Sequence, residues 1–324
     1  MTSTSRATIY DVAAAAQVSI ATVSNCLNRP ELVSVPTRLR IHRAIDRLGY
    51  VPKSQAVSLA RKEMRRVAVV APFVSYASFF ERLAGIISVA DAVGIEVSVF
   101  NIESAATAST PTLANMPIRG QVDGLIVMGQ RVEASIETRL RDRALPVVLV
   151  DAPSDVFPRV ASDDFAGGRM AADHLLSLGH RRLAYLVERQ FTDYASQALA
   201  RLQGFSSGVD STRGASLEIV RCEPNVDAAR DATAALLAAE NPPTAIMAHY
   251  DGMAIGALRA VRNPALPCQE QIAVMGYDDG PAAEAADLTT VRQPFRESGA
   301  VAMRMLIAEI EQAGQPRVKA LLET

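Results

Sequence analysis

Eleven cationic side chains fall within the first 66 residues: Arg6, Arg29, Arg38, Arg40, Arg43, Arg47, Lys53, Arg61, Lys62, Arg65 and Arg66. Four acids oppose them, Asp11, Glu31, Asp46 and Glu63, which leaves +7 on this segment; because the whole chain carries −2, the remainder carries −9. Cations at this density can neutralise the phosphates of a polyanion and release its counterions. On charge alone, a solvated basic helix face is the alternative. Covalent chemistry has no comparable foothold. The chain contains no GxxxxGK[ST], GxSxG, HExxH or CxxC pattern, so no catalytic residue is assigned and no enzyme is expected. His174 and His180 lie on and just after one helical stretch, and His249 lies near a strand end, too scattered for a metal site. Cys26, Cys222 and Cys268 are odd in number and far apart, so neither metal nor disulfide framework follows and a reducing compartment is expected. Gly167-Gly168 is a weak phosphate signal and reads as a helix start against a strand. No cofactor is implied.

Helices must carry the basic segment. Thr8 can cap a helix from Ile9 to Ala16, whose Ile9, Val12, Ala13 and Ala16 share one face. Gln17-Val18 form a turn, and Ser19 caps a second helix over Ile20 to Leu27, with Val23 and Leu27 facing Val12 and Ala13. A third helix begins after Ser34, tolerates Pro36 in its first turn, and runs to Leu48 before Gly49 ends it. Its apolar stripe is read as Leu39, Ile41, Ala44, Ile45 and Leu48. Two short helices, a tight turn and a supporting helix make a helix-turn-helix, whose second helix enters the major groove. The following residues read as a linker.

The rest is a soluble globular composition, with 49% hydrophobic and 21% charged residues over 324 positions, long enough for two or three domains. No apolar run reaches the roughly 18 residues of a membrane span, and Met1 to Thr8 has no apolar export segment, so a cytoplasmic protein is expected. From Arg66 onward, apolar runs alternate with amphipathic stretches. Residues 67–71, 97–100, 124–128, 147–150, 183–187, 217–220, 245–248, 273–276 and 318–322 read as buried strands. Helical stretches are read at 79–93, 134–143, 167–177 and 198–209. The alternation predicts two doubly wound parallel sheets, with a ligand at the carboxyl ends of strands between two lobes.

The run Thr8-Ile9-Tyr10-Asp11-Val12-Ala13, then Ala16-Gln17-Val18-Ser19, Ala21-Thr22-Val23-Ser24, Leu27-Asn28, Val33-Ser34, Thr37-Arg38 and Leu48-Gly49-Tyr50-Val51-Pro52 resembles the head of the lactose-repressor/galactose-repressor (LacI/GalR) family. The likeness continues through Val122-Asp123-Gly124-Leu125-Ile126, Ser162-Asp163-Asp164 with Gly167-Gly168, Gly179-His180-Arg181, Val274-Met275-Gly276-Tyr277-Asp278-Asp279 and Leu288-Thr289-Thr290-Val291. It spans about Thr8 to Leu322. The resemblance implies an all-α helix-turn-helix head (1–49), a hinge with a hinge helix (50–66), and an α/β two-lobed core (67–324) of the type I periplasmic-binding-protein kind. It implies a sequence-specific transcriptional repressor that binds a pseudo-palindromic operator as a homodimer under control of a small effector, a sugar or sugar derivative. The ending at Thr324, without a heptad tail, adds to the expectation of a dimer.

The resemblance places base-reading side chains at Ile20, Ala21 and Asn25. Thr8, Ser19, Thr22, Ser24, Asn28, Ser34, Thr37 and Tyr50 join them as DNA contacts, as do hinge residues Lys53, Ala56 and Leu59, with Leu59 matching a minor-groove wedge. For the effector it implies Arg201 and Asp278 on facing loops, with Phe79, Asp151, Tyr250, Gln293 and Phe295 as further candidates. This chain departs from the family pattern at several points. Gln17 stands where Gly is usual, which costs on the order of 1 kcal/mol if the turn needs positive φ. Asn25 replaces a common Arg, and Asn pairs best with adenine. Lys53 replaces an Asn in the hinge, and Tyr250 replaces an Asn before Asp251.

Overall fold

A computed structural model describes residues 7–50, 65–71, 77–101, 122–189, 197–263, 272–311 and 319–324. The head is three helices, α1 (Ile9–Ala16), α2 (Ile20–Asn28) and α3 (Val35–Leu48), with a short 3-10 turn at Pro30–Leu32. Thr8 and Asp11 cap α1 reciprocally: the Thr8 amide donates to the Asp11 carboxylate at 2.7 Å and the Thr8 hydroxyl accepts from the Asp11 amide. Ser19 caps α2 through the Thr22 amide at 3.1 Å. Gln17 does adopt the left-handed conformation, φ 53° and ψ 51°, because the chain must reverse there to bring α2 across α1. Val12, Ala13, Ala16, Val23, Leu27, Ile41, Ala44 and Ile45 are buried together, and Cys26 joins them. Leu39 does not: it is 53% exposed, since two residues on a helix stand about 200° apart and Ile41 takes the inward face. α3 also meets a helix of the body, α5 (Ala134–Asp142): Arg143 donates to Asp46 at 2.9 Å, and Arg139 lies against His42. Burial, with Arg139 alongside, pushes the His42 imidazole down to about 3.

Beyond the head the described residues form two sheets. The first has the order β11-β5-β4-β3-β1-β2, from β1 (Arg66–Ala71), β2 (Glu96–Asn101), β3 (Gly124–Met128), β4 (Val147–Val150), β5 (Arg159–Ser162) and β11 (Lys319–Leu322). The pairs β1–β2, β1–β3 and β3–β4 are parallel. Helix α5 and helix α4 (Ala77–Ala92) lie between strands in the chain. Ile136 and Leu140 of α5 close the core over Ala68, Val70, Leu125, Val127 and Leu149.

The second sheet has the order β10-β9-β8-β6-β7, from β6 (Arg182–Glu188), β7 (Ser216–Cys222), β8 (Ala245–Ala248), β9 (Ala273–Asp278) and β10 (Thr289–Arg292). All four of its pairings are parallel. Its helices are α6 (Asp164–Ser177), α7 (Gln197–Asp210), α8 (Val226–Leu237), α9 (Asp251–Val261) and the short α10 (Pro281–Ala285), followed by α11 (Phe295–Glu311). Strand alternation sends Leu183, Tyr185 and Val187 to the α6/α7 side and Ala184 and Leu186 to the α8/α9 side, so both faces are covered. The described residues fall into two compact units, 1–74 with 83–159 and 299–319, and 75–82 with 160–298 and 320–324. No helix among them is long and apolar enough to cross a membrane.

The sequence reading missed β5 and β10, each four residues long. It also started α6 three residues late, because Asp163 caps it through the Ala166 amide at 2.9 Å. Gly167 and Gly168 hold more than a helix start against a strand. A methyl on Gly168 would strike the Arg201 carbonyl oxygen of α7, and one on Gly167 would strike the Tyr277 hydroxyl. α6 and α7 therefore cross backbone to backbone, and this contact sets where Arg201 sits.

Candidate effector site and nucleic-acid interface

On the head, the outer face of α2 is polar or open. Ser19, Ala21 and Asn25 are exposed, Thr22 and Ser24 are half-buried, and Ile20 is 40% exposed, so Ile20 is not consumed by packing on α3. Ser34 is exposed, and its hydroxyl donates to Thr37 at 2.9 Å, holding the start of α3. Thr8 is exposed, with its hydroxyl on Asp11 at 2.7 Å. Tyr50 departs from the expectation of a DNA contact: it is 8% exposed and its ring serves the head core. The side chain of Asn28, and all of Lys53, Ala56 and Leu59, lie outside the described residues.

In the second unit, strand order reverses between β7 and β8 around β6, and in open α/β sheets ligands bind at the carboxyl ends of strands at such a reversal. A set of buried polar groups converges there. Arg201, on α7, is 7% exposed. Its Nε donates to Asp164 at 2.7 Å and its Nη1 to the His249 carbonyl oxygen at 3.0 Å. Nη1 also stands 3.6 Å from the Asp278 carboxylate. The guanidinium lies over the Tyr277 ring, 3.9 Å from its centroid. Gln293 donates to the same Asp164 oxygen at 3.0 Å. Nearby, Asp251 accepts from the Gly280 amide at 2.8 Å and from Thr290 at 2.6 Å.

Burial sets the electrostatics. Asp278 is pushed up to about 7 by desolvation, with Arg201 pulling the other way. His249 is pushed down to about 3 by burial and then by Arg201, so its ring is neutral. Burial works against the charge of Arg201, but Asp164 and Asp278 override it and hold the guanidinium fully protonated. Asp278 has φ 117° and its neighbour Asp279 φ 59°, left-handed backbone in non-glycine residues at the end of β9. Strain of this kind persists where the surroundings over-determine it, and it clusters at ligand clamps. Five buried atoms in this unit have no hydrogen-bond partner among the described residues: the hydroxyls of Ser162, Tyr185 and Tyr277, Oε1 of Gln293 and Nδ1 of His249. A buried polar atom without a partner costs about 1–3 kcal/mol, so their concentration in one unit points to a ligand.

Comparison with known proteins decides the family. A model of bacterial regulatory proteins of the lacI family matches residues 8–53, and one of a periplasmic binding protein-like domain matches 172–324. The transcriptional repressor CytR of Escherichia coli K12 is 31% identical over 320 residues, covering 94% of this chain and 90% of CytR. The chain belongs to the LacI family. It is a DNA-binding transcriptional regulator. Among solved structures, a LacI-family regulator from Enterococcus faecium with bound ribose aligns with a TM-score of 0.71 at 25% identity, over 80% of this chain and 95% of that one. The lac repressor dimer bound to operator aligns at 0.68 and 26% identity, over 98% of this chain and 97% of that one.

For this LacI-family regulator the structure brings Arg201, Asp278 and Gln293 together. It corrects the picture of facing loops, because Arg201 sits inside helix α7 and only Asp278 ends a strand. Phe295 is buried beneath the Arg82 guanidinium, 4.5 Å from its ring centroid, and Phe79 packs edge-on against Phe80. The Tyr250 hydroxyl donates to the Pro224 carbonyl oxygen at 2.7 Å. A tyrosine at the start of α9 is too long to cap it, and reaches the backbone beyond. Asp151 ends β4 with φ 51° and belongs to the other unit. Sequence reasoning quoted Asp164 and Tyr277 only as parts of motifs and passed over the carbonyl of His249. Two consecutive aspartates at a helix start were the available signal: Asp163 caps, so Asp164 can turn inward.

Proposed function

We propose that this regulator is a cytoplasmic homodimeric repressor that reads a pseudo-palindromic operator and answers to a small carbohydrate held around Arg201. In this reading, 1–49 is the DNA-binding head, 50–66 the hinge, and 67–324 the sensing and dimerising body. Ile20, Ala21 and Asn25 read bases, with Ser19, Thr22, Ser24, Asn28, Ser34 and Thr37 nearer the phosphates and Leu59 as the hinge wedge. Arg201 and Asp278 are the main effector anchors, assisted by Asp164 and Gln293. The observation that carries the sensing role is the buried cradle itself: a guanidinium fork, two carboxylates and an amide beside unpartnered hydroxyls, which supply both donors and acceptors to a polyol. The ribose-bound relative supports a carbohydrate over other metabolites. No catalytic role is assigned to any residue, in keeping with relatives that are regulators.

Selection from a random duplex library tests the DNA half, and should return a site with two-fold symmetry bound at two chains per duplex. A site without symmetry, or one chain per duplex, rejects the dimer. Retention of that duplex should then change on adding the sugar that raises the melting temperature of the chain. Indifference to every stabilising sugar rejects the sensing role.

A further inference from the structure

We infer that the cradle takes an uncharged, hydroxyl-rich ligand and rejects phosphorylated ones, because among the described residues the chain's own carboxylates already stand against the Arg201 guanidinium and the starts of α6 and α9. The inference rests on the carbohydrate reading and narrows it. Phosphate recognition needs an uncompensated guanidinium or the amide-rich start of a helix. Arg201 is compensated: Asp164 holds its Nε at 2.7 Å and Asp278 stands 3.6 Å from its Nη1. The other nearby cation, Arg82, stacks on Phe295 at 4.5 Å and donates to the Ser298 hydroxyl at 3.2 Å. Two long helices that begin beside the cradle, α6 and α9, carry their own acids. α6 has Asp163 on its Ala166 amide and Asp164 in its first turn, and α9 starts at Asp251. Asp251 also takes the Gly280 amide and the Thr290 hydroxyl, donors an incoming phosphate would otherwise use.

Three carboxylates, Asp164, Asp251 and Asp278, thus face two guanidinium groups. A dianionic phosphate added here meets like charge in a poorly solvated place, a repulsive element that discriminates as strongly as any attractive contact. Burial does most to raise the Asp278 pKa, and Asp251 and Asp164 add to it, so the place is poorly solvated before any phosphate arrives. A hydroxyl meets the opposite situation. It can donate to Asp278 or to Oε1 of Gln293 without bringing charge.

The test titrates the full chain with ribose, glucose and cellobiose and with the phosphate ester of each. Whichever sugar binds should do so at least tenfold more tightly than its ester. An ester that binds equally or more tightly overturns the inference while leaving the carbohydrate reading intact. Binding by none of them overturns the carbohydrate reading, and a second arm then decides the inference alone. That arm compares the thermal response to inorganic phosphate, against chloride at matched ionic strength, in the wild-type chain and Arg201→Gln. The basic head attracts phosphate equally in both, so equal responses are expected. A larger response in the wild type overturns the inference. Where Arg201→Gln does not fold, Asp164→Asn replaces it. This variant uncovers the charge of Arg201 and should gain a phosphate response, and no gain counts against the inference.

Discussion

Removing Arg201 should unsettle the second unit before it reports anything about the ligand. Its side chain is 9% exposed and that of Asp164 7%, so Arg201→Met strands in the core a carboxylate that has lost its cation and still accepts from the Gln293 amide, 3.0 Å away. Breaking one side of a buried ion pair costs about 3–5 kcal/mol, whereas replacing both partners is far milder. For a unit of this size that is a fall of roughly 10 °C in melting temperature. Asp164→Asn should cost about 1–3 kcal/mol, because the amide oxygen can still accept from Gln293 and Arg201. The double variant should then lose less than the sum of the two by at least about 1.5 kcal/mol. Calorimetric unfolding of the full chain and its three variants measures all four corners. Additivity within about 0.5 kcal/mol would refute the claim that Asp164 and Arg201 act as one element. The practical consequence is that Arg201→Lys, which keeps the charge and loses the fork, is the better probe of effector binding.

Other expectations concern separate parts of the chain. Gln17→Gly should stabilise the head by about 0.5–1 kcal/mol by relieving a left-handed residue, read as a rise in the head's melting temperature; no change or a fall would show that Gln17 is unstrained. A ligand hydroxyl that donates to Asp278 needs the carboxylate ionised, so affinity should climb as pH rises toward about 7 and flatten above it, with Asp278→Asn abolishing the climb. The groups facing Asp278 that bear on this profile are Arg201, Arg82, Asp251 and Asp164, while His249 stays neutral throughout. The sign for stability is opposite: Asp278 is raised above its unfolded value of 3.8, so its contribution to the ligand-free chain is full below about pH 4 and is lost as pH rises through about 7. In the hinge, Leu59→Ala should weaken binding to the selected operator far more than to random DNA, and equal losses on both would exclude a wedge.

The parts of the fold most legible in the sequence are those where a local pattern and a tertiary demand coincide. Central parallel strands are buried on both faces, so Gly124–Met128, Val147–Val150 and Ala245–Ala248 read as unbroken apolar runs and fold as such. The edge strand Thr289–Arg292 has only Val291 buried, and no four-residue pattern separates it from a loop. In the cradle, Arg201 and Asp278 were named through resemblance, but their environment was not. Asp164 lies 37 positions before Arg201, and only the glycine-to-backbone crossing of α6 and α7 brings them together. The carbonyl of His249 is backbone and leaves no trace in residue type. The Tyr250 hydroxyl bonds the Pro224 carbonyl, again a backbone partner that residue type does not announce.

Most of the features of the second unit that disagree with good packing lie around Arg201. Elsewhere its sheet faces are apolar, its helices are capped by Asp163 and Asn225, and local preference matches the fold. Around Arg201 the reverse holds: a buried ion pair, a carboxylate with an elevated pKa on strained backbone, a neutralised histidine and hydroxyls without partners. Each of these weakens the ligand-free state, and each is relieved by a molecule that donates to the acceptors and accepts from the donors. A ligand that relieves them stabilises the unit by binding, so affinity and rigidity rise together. Whatever arrangement the relieved unit favours is then the arrangement the ligand selects. The coupling must be reciprocal, so operator DNA should shift effector affinity by the factor by which effector shifts operator affinity. Titrating effector into the chain with and without its operator, and operator with and without effector, measures both factors. Factors of one in both titrations would mean that the two events are not linked through the folded chain.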